Sequence, residues 1–140
     1  VYAVDVGYGQ LAWSLRNDPR VVLLERVNIR YLKPEAFPER PNLFTVDCSF
    51  ISLRVVLPAL KELLAPQAEG VVLIKPQFEA GPEEVSRGGV VRDPEVRQRI
   101  ASEVLQAAEG LGFVSRGVIP CPVLGPAGNQ EFLAHLHLTQ

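Results

Sequence analysis

The sequence has 140 residues, 47% of them hydrophobic and 21% charged, with 14 Lys and Arg against 16 Asp and Glu for a formal charge of -2. That is enough chain for one globular domain with a real core and too little for two, and the near-neutral balance excludes a disordered tail or a polybasic arm. The longest apolar runs, such as Val55–Leu60 and Val71–Ile74, fall far short of the roughly 18 residues that span a bilayer, so neither a membrane anchor nor a signal peptide is expected.

The chain holds no Met and opens on Val1, which leads us to expect a piece of a longer protein. Its first strand is Val1-Tyr2-Ala3-Val4, stopping at Asp5 before a turn that carries Gly7 and Gly9. Gln10 to Arg16 suits a short helix, which Asn17-Asp18-Pro19 breaks. Val21 to Leu24 is a second strand. Residues 27 to 41, with three prolines, read as an irregular connection holding about one helical turn. Asn42 to Val46 is a third strand ending on Asp47, and Cys48 follows it. Ser52 then caps a helix whose apolar positions Leu53, Val56, Leu57, Leu60, Leu63 and Leu64 recur at three- and four-residue spacing.

Val71 to Ile74 is a fourth strand, so apolar that it should be covered on both faces, and it ends on Lys75-Pro76. Residues 76 to 92 form a long loop with Gly81, Gly88 and Gly89, and loops of that length are functional more often than idle. Asp93-Pro94 starts a helix with an N-cap acid and Pro at its first position, its buried stripe being Val96, Ile100, Val104, Ala107 and Leu111 and its end Gly110 and Gly112. Phe113 to Val123 and Glu131 to Leu138 are joined by a short turn and therefore antiparallel. Strands alternating with helices imply an α/β fold, a mostly parallel sheet with helices on both faces. Cys48 and Cys121 sit beside apolar runs and fit buried thiols in a reducing cytoplasm better than a disulfide scaffold.

Ligands of open α/β sheets bind at the carboxyl ends of the parallel strands. Asp5, Asp47 and Lys75 mark those ends, and the start of the antiparallel last strand, near Asn129 and Glu131, belongs on the same rim. A Lys between two carboxylates on such a rim is what proton transfer requires. Metal binding is disfavoured: His135 and His137 share a strand face but have no third ligand nearby. No phosphate-binding loop is present, and Ser86 lacks the strand-turn-helix setting of a nucleophile elbow. Arg87 and Arg92, in the long loop, are candidates for phosphate contacts.

Five segments in order, Ala3-Val4-Asp5-Val6-Gly7-Tyr8-Gly9-Gln10-Leu11, Val46-Asp47-Cys48-Ser49-Phe50-Ile51-Ser52-Leu53, Ile74-Lys75-Pro76-Gln77-Phe78-Glu79-Ala80-Gly81, Gly88-Gly89-Val90-Val91-Arg92-Asp93-Pro94 and Gly125-Pro126-Ala127-Gly128-Asn129-Gln130-Glu131-Phe132-Leu133, closely resemble the TlyA (hemolysin A) family of FtsJ-like 2′-O-ribose methyltransferases. The resemblance implies a Rossmann-like class I methyltransferase sheet with an antiparallel last strand, S-adenosyl-L-methionine as methyl donor and ribosomal RNA as acceptor. Within the family's Lys-Asp-Lys-Glu tetrad it assigns Asp47, Lys75 and Glu131 as catalytic. It places Asp5, Val6, Asn28 and Asp47 at the cofactor, Asp5 on the ribose hydroxyls and Asn28 near the adenine.

It also implies that the sheet's first strand, the Gly-rich cofactor loop, the first tetrad Lys and an N-terminal RNA-binding domain are absent from this chain. Residues 1–140 are then a partial methyltransferase domain, expected to be inactive alone, cytoplasmic in setting, and open to dimerisation through unpaired sheet edges. A net charge of -2 offers RNA little attraction, which suits a catalytic part relying on a separate RNA-binding domain. An ordinary lysine, of pKa about 10.4, serves as a base only when brought to roughly 7 to 8. The alternatives for Lys75 are therefore that it takes the hydroxyl proton or that it stays charged and orients the hydroxyl. Competing readings of the whole chain are a noncatalytic RNA-binding module on a degenerate methyltransferase fold and, from the family's name, a hemolysin-type toxin.

Overall fold

A computed structural model describes all residues, 1–140. Two parallel pairs begin the architecture. Strand β1 (Tyr2–Val4) pairs with β2 (Val22–Leu24), and β3 (Leu43–Val46) pairs with β4 (Glu69–Ile74). The sheet continues antiparallel through β6 (Phe132–Leu138) to β5 (Phe113–Pro120), giving the order β3-β4-β6-β5 beside the separate β1-β2 pair. Four helices accompany them: α1 (Trp13–Arg16), α2 (Leu53–Leu63), α3 (Pro76–Glu79) and α4 (Pro94–Gly110). None is long and apolar enough to cross a membrane.

Local chemistry explains the boundaries. The Ser52 side chain accepts from the Arg54 N–H and the Asp93 side chain from the Glu95 N–H, each occupying an orphan donor of a first turn. The α4 helix stops before Gly112, whose φ of +99 no L side chain adopts easily. The irregular 27–41 stretch contains two 3-10 turns, Ile29–Tyr31 and Pro34–Ala36. The 76–92 segment is more ordered than a loop. It holds α3, a 3-10 turn at Pro82–Glu84 and a bridge between Ser86 and Val90, because Pro76 and Pro82 each preset the φ of a first helical position.

The core corrects one expectation. Leu57 and Leu64 from α2 and its C-cap, Ile100 and Val104 from α4, and Val72, Ile74, Phe113, Ala134 and Leu136 from the strands form one buried cluster. Both long helices thus pack on the same face of the four-stranded sheet, and its other face is open, with Leu43 69%, Val71 39%, Val118 42% and Ile119 57% exposed. The apolar run Val71–Ile74 is accordingly covered on one face only. The reason is connectivity: the long helices follow β3 and β4, whereas β1 and β2 are followed by one four-residue helix and two 3-10 turns, too short to layer a sheet. The stripe of α4 also turns slightly, with Ala101 and Ala108 buried and Val96, Ala107 and Leu111 half-buried.

Candidate active site

Asp5, Asp47 and Lys75 follow the carboxyl ends of β1, β3 and β4, and the parallel pairing of β3 with β4 brings the last two to one edge. Lys75 is buried, its side chain 10% exposed, and its Nζ lies 2.6 Å from Asp47 Oδ1. A second bond runs from Lys75 Nζ to Ser49 Oγ at 3.1 Å. Asp47 is much more open, its side chain 71% exposed. Cys48, between Asp47 and Ser49, is a free and half-buried thiol. Burial pushes it up, as do the charges of Asp47 and Asp5, against the pull of Lys75. The thiol is therefore held in its neutral form beside the Lys75–Asp47 pair.

Glu131 is 4% exposed, and its partner is not the lysine. Its Oε2 accepts from Gln77 Nε2 at 2.7 Å, while Lys75 is taken by Asp47 and Ser49. The expected lysine between two carboxylates is instead a Lys–Asp pair and, apart from it, a carboxyl held by an amide. The single turn of α3 explains the separation. From this one turn Lys75 reaches Asp47 and Ser49, Gln77 reaches Glu131, and Glu79 takes the Ser52 hydroxyl at 2.5 Å and the Leu53 N–H at 2.7 Å. Two distant segments, residues 47–53 and Glu131 just before β6, are tied to one turn.

Asn129 locks the rim from the other side. It is 2% exposed, and its amide donates to the carbonyls of Gly89 and Pro126, both at 2.9 Å, while accepting from the Val91 N–H at 3.1 Å. It joins the turn before β6 to the loop bearing Arg87 and Arg92, whose side chains are exposed. On the β1 side, Asp5 is exposed and its Oδ1 accepts from the Gly7 N–H at 2.8 Å. Val6 is 68% exposed. Asn28 caps a 3-10 turn, its Oδ1 accepting from the Arg30 N–H at 3.0 Å.

Ser49, Gln77 and Phe50 escaped the sequence reading. Phe50 is 89% exposed, at a φ of +62, with its ring 4.8 Å from that of Phe78. A bulky residue in the left-handed region costs roughly 1–2 kcal/mol, and it stands next to the residue that bonds Lys75. Nothing in the linear sequence marks it, because exposure and φ are tertiary properties. His135 pairs with Glu69 at 3.0 Å and His137 approaches Arg116 at 3.4 Å, the roles of surface strand histidines.

Residues 1–138 match the model of a family described as FtsJ-like methyltransferase. The 16S/23S rRNA (cytidine-2'-O)-methyltransferase TlyA of Mycobacterium tuberculosis is 54% identical over 136 residues, covering 97% of this chain and 51% of that protein. A candidate hemolysin from Lactococcus lactis superposes with a TM-score of 0.95 at 48% identity, over 100% of this chain and 67% of the other. The N-methyltransferase NodS of Bradyrhizobium japonicum WM9, solved with S-adenosyl-L-homocysteine, shares the fold at a TM-score of 0.65 and 14% identity, over 99% of this chain and 66% of the other. The chain spans about half the length of the curated relatives it matches.

Proposed function

The chain belongs to the FtsJ-like methyltransferase family, with a Rossmann-like class I sheet, and from that premise we propose that the full-length protein methylates a ribose 2′-hydroxyl of ribosomal RNA with S-adenosyl-L-methionine. The nucleotide proposed is cytidine, after the printed activity of the M. tuberculosis relative. The carrying observation is the buried Lys75 amino group held against Asp47 and Ser49 at the carboxyl rim. Residues 1–140 are read as the later part of the methyltransferase domain, in a cytoplasmic protein.

The donor set suits the cofactor. Asp5 keeps one carboxylate oxygen free of Gly7 for a diol, Val6 offers exposed apolar surface, and Asn28 retains its amide NH2 as a donor toward a base. When bound, the cofactor supplies an electrophilic methyl on a sulfonium. The residues of this chain must hold the acceptor oxygen about 3 Å from that methyl. Lys75 contacts the hydroxyl, either receiving its proton or directing its lone pair, and Asp47 fixes the Lys75 Nζ in place. Burial of Lys75 keeps this contact out of bulk water, where it would be weaker. Arg87 and Arg92 meet phosphates of the RNA.

Phe50 is read as a stacking platform for a nucleobase beside the target ribose, since its ring is almost fully exposed and is steadied by a tilted contact with Phe78. Phe50→Ala in the full-length protein is expected to lower kcat/KM for ribosomal RNA about 10- to 100-fold. Phe50→Gly should lose as much activity while gaining about 1 kcal/mol of stability from the relieved φ. Steady-state kinetics and thermal unfolding of both variants check this.

The direct test is calorimetry with S-adenosyl-L-methionine on residues 1–140 and on the protein extended upstream, followed by an assay on undermethylated ribosomes. Binding by the longer chain alone, with 2′-O-methylcytidine in the product, is expected. Binding by neither would overturn the reading in favour of a noncatalytic module.

A further inference from the structure

Glu131 has an unusual setting for a buried carboxyl. It makes no ion pair, its one side-chain partner is the Gln77 amide at 2.7 Å, and its carboxyl group lies directly over the backbone of Gly125. A Cβ built on Gly125 would stand 2.5 Å from Glu131 Cδ and 2.9 Å from Oε1, with Oε2 closer still. Such separations are not tolerated between real atoms. Gly125 itself has φ -79 and ψ -172, a conformation open to any residue, so a side chain here meets no backbone strain and would instead displace the Glu131 carboxyl.

Gln77 pays a visible cost. Its Nε2 donates to Glu131, but its Oε1 is buried without any partner. An unpaired buried acceptor costs about 1–3 kcal/mol, so the one protein bond that sets the orientation of this amide is its donation to Glu131. The backbone around Glu131 is already well bonded, its carbonyl accepting from Cys121 N–H at 2.8 Å and from Gln130 Nε2 at 2.8 Å, so the Gln77 bond adds nothing that β6 needs. What it adds is the direction of the carboxyl. Since Gln77 and Lys75 rise from the same turn, the amide also ties the placement of Glu131 to that of the lysine.

We infer that Gln77 and Gly125 are positioning residues for Glu131: the Gln77 amide aims the carboxyl and the bare backbone of Gly125 makes its seat. The inference rests on Glu131 belonging to the methyl-transfer site. Four variants of the full-length protein separate the two: Glu131→Ala, Gln77→Ala, Gly125→Ala and the double variant Gln77→Ala/Glu131→Ala. Each is assayed for methyl transfer to undermethylated ribosomes, for cofactor affinity by calorimetry and for thermal midpoint. Gln77→Ala, which loses the bond that aims the carboxyl, and Gly125→Ala, which displaces the carboxyl from its seat, should each lower kcat about 10- to 100-fold, with KM and cofactor affinity nearly unchanged. In the Glu131→Ala background, Gln77→Ala should cost nothing further, because two residues acting as a unit are not additive. An equal further loss in that background, or full activity of Gln77→Ala alone, would overturn the inference whether or not Gly125→Ala folds. Full activity of Glu131→Ala would instead overturn the placement of Glu131 in the site.

Discussion

In the full-length protein, Lys75→Ala is expected to reduce methyl transfer about a thousandfold, within the range of a lost acid–base or orienting group, while cofactor affinity and thermal midpoint change little. The asymmetry of the Lys75–Asp47 pair is the basis for this. Lys75 is buried and Asp47 is 71% exposed, so removing the lysine leaves the carboxylate in water and strands no charge in the interior. Deleting one member of a fully buried pair would cost about 3–5 kcal/mol of stability, and that penalty does not apply here. Of the residues proposed for the cofactor, Asp5 and Asn28 hydrogen-bond within their own turns and not to Lys75, and Asp47 remains at the rim. Lys75→Arg divides the two roles, because a guanidinium keeps the charge and the donors but does not give up its proton in proteins. Activity retained by the Arg variant assigns orientation, and activity lost to the level of the Ala variant assigns proton acceptance. Turnover and cofactor affinity falling together in Lys75→Ala would mean that the residue supports the fold and not the reaction.

Gly70→Ala is expected to be the most destabilising single methyl addition in the chain, by about 3 kcal/mol or more. Gly70 pairs with Phe44 in the β3–β4 register, and a Cβ there would meet the Phe44 backbone carbonyl, with ring atoms Cδ2 and Cγ at 2.6 and 2.7 Å. Neither obstacle can move cheaply. The carbonyl belongs to the sheet backbone, and the ring stands edge-on to Phe113 at 5.9 Å inside the core cluster. Relief would require β3 to separate from β4, and those strands present Asp47 and Lys75. Thermal unfolding of the full-length variant should show a fall of about 10 °C, or insoluble expression, with activity lost in step with folding. A midpoint within a degree or two of the parent would show that the strands absorb the methyl group by shifting.

The separation between what was readable and what was not follows the range of the forces involved. Strand and helix identities were legible from local patterns: the Ser52 and Asp93 caps, the spacing of Val56, Leu57 and Leu60, and the apolar runs ending on Asp5, Asp47 and Lys75 all depend on neighbours within a turn or two. The antiparallel last strand followed from the short connection before it, and that placed Glu131 near the same rim. Which face the helices cover was not legible, since an apolar run such as Val71–Ile74 looks the same whether one side or both are buried.

The sequence by itself determined the α/β class and the order of elements, because periodicity, capping and turn chemistry are local, and its resemblance to the family supplied the motif residues. The tertiary structure decided who touches whom. Lys75 has one carboxylate partner and not two, Glu131 is held by Gln77, Ser49 joins the lysine, and Phe50 stands exposed at a left-handed φ. Those outcomes depend on where one short turn after β4 sends alternate side chains across segments up to 54 residues away, and no local rule encodes contacts of that span.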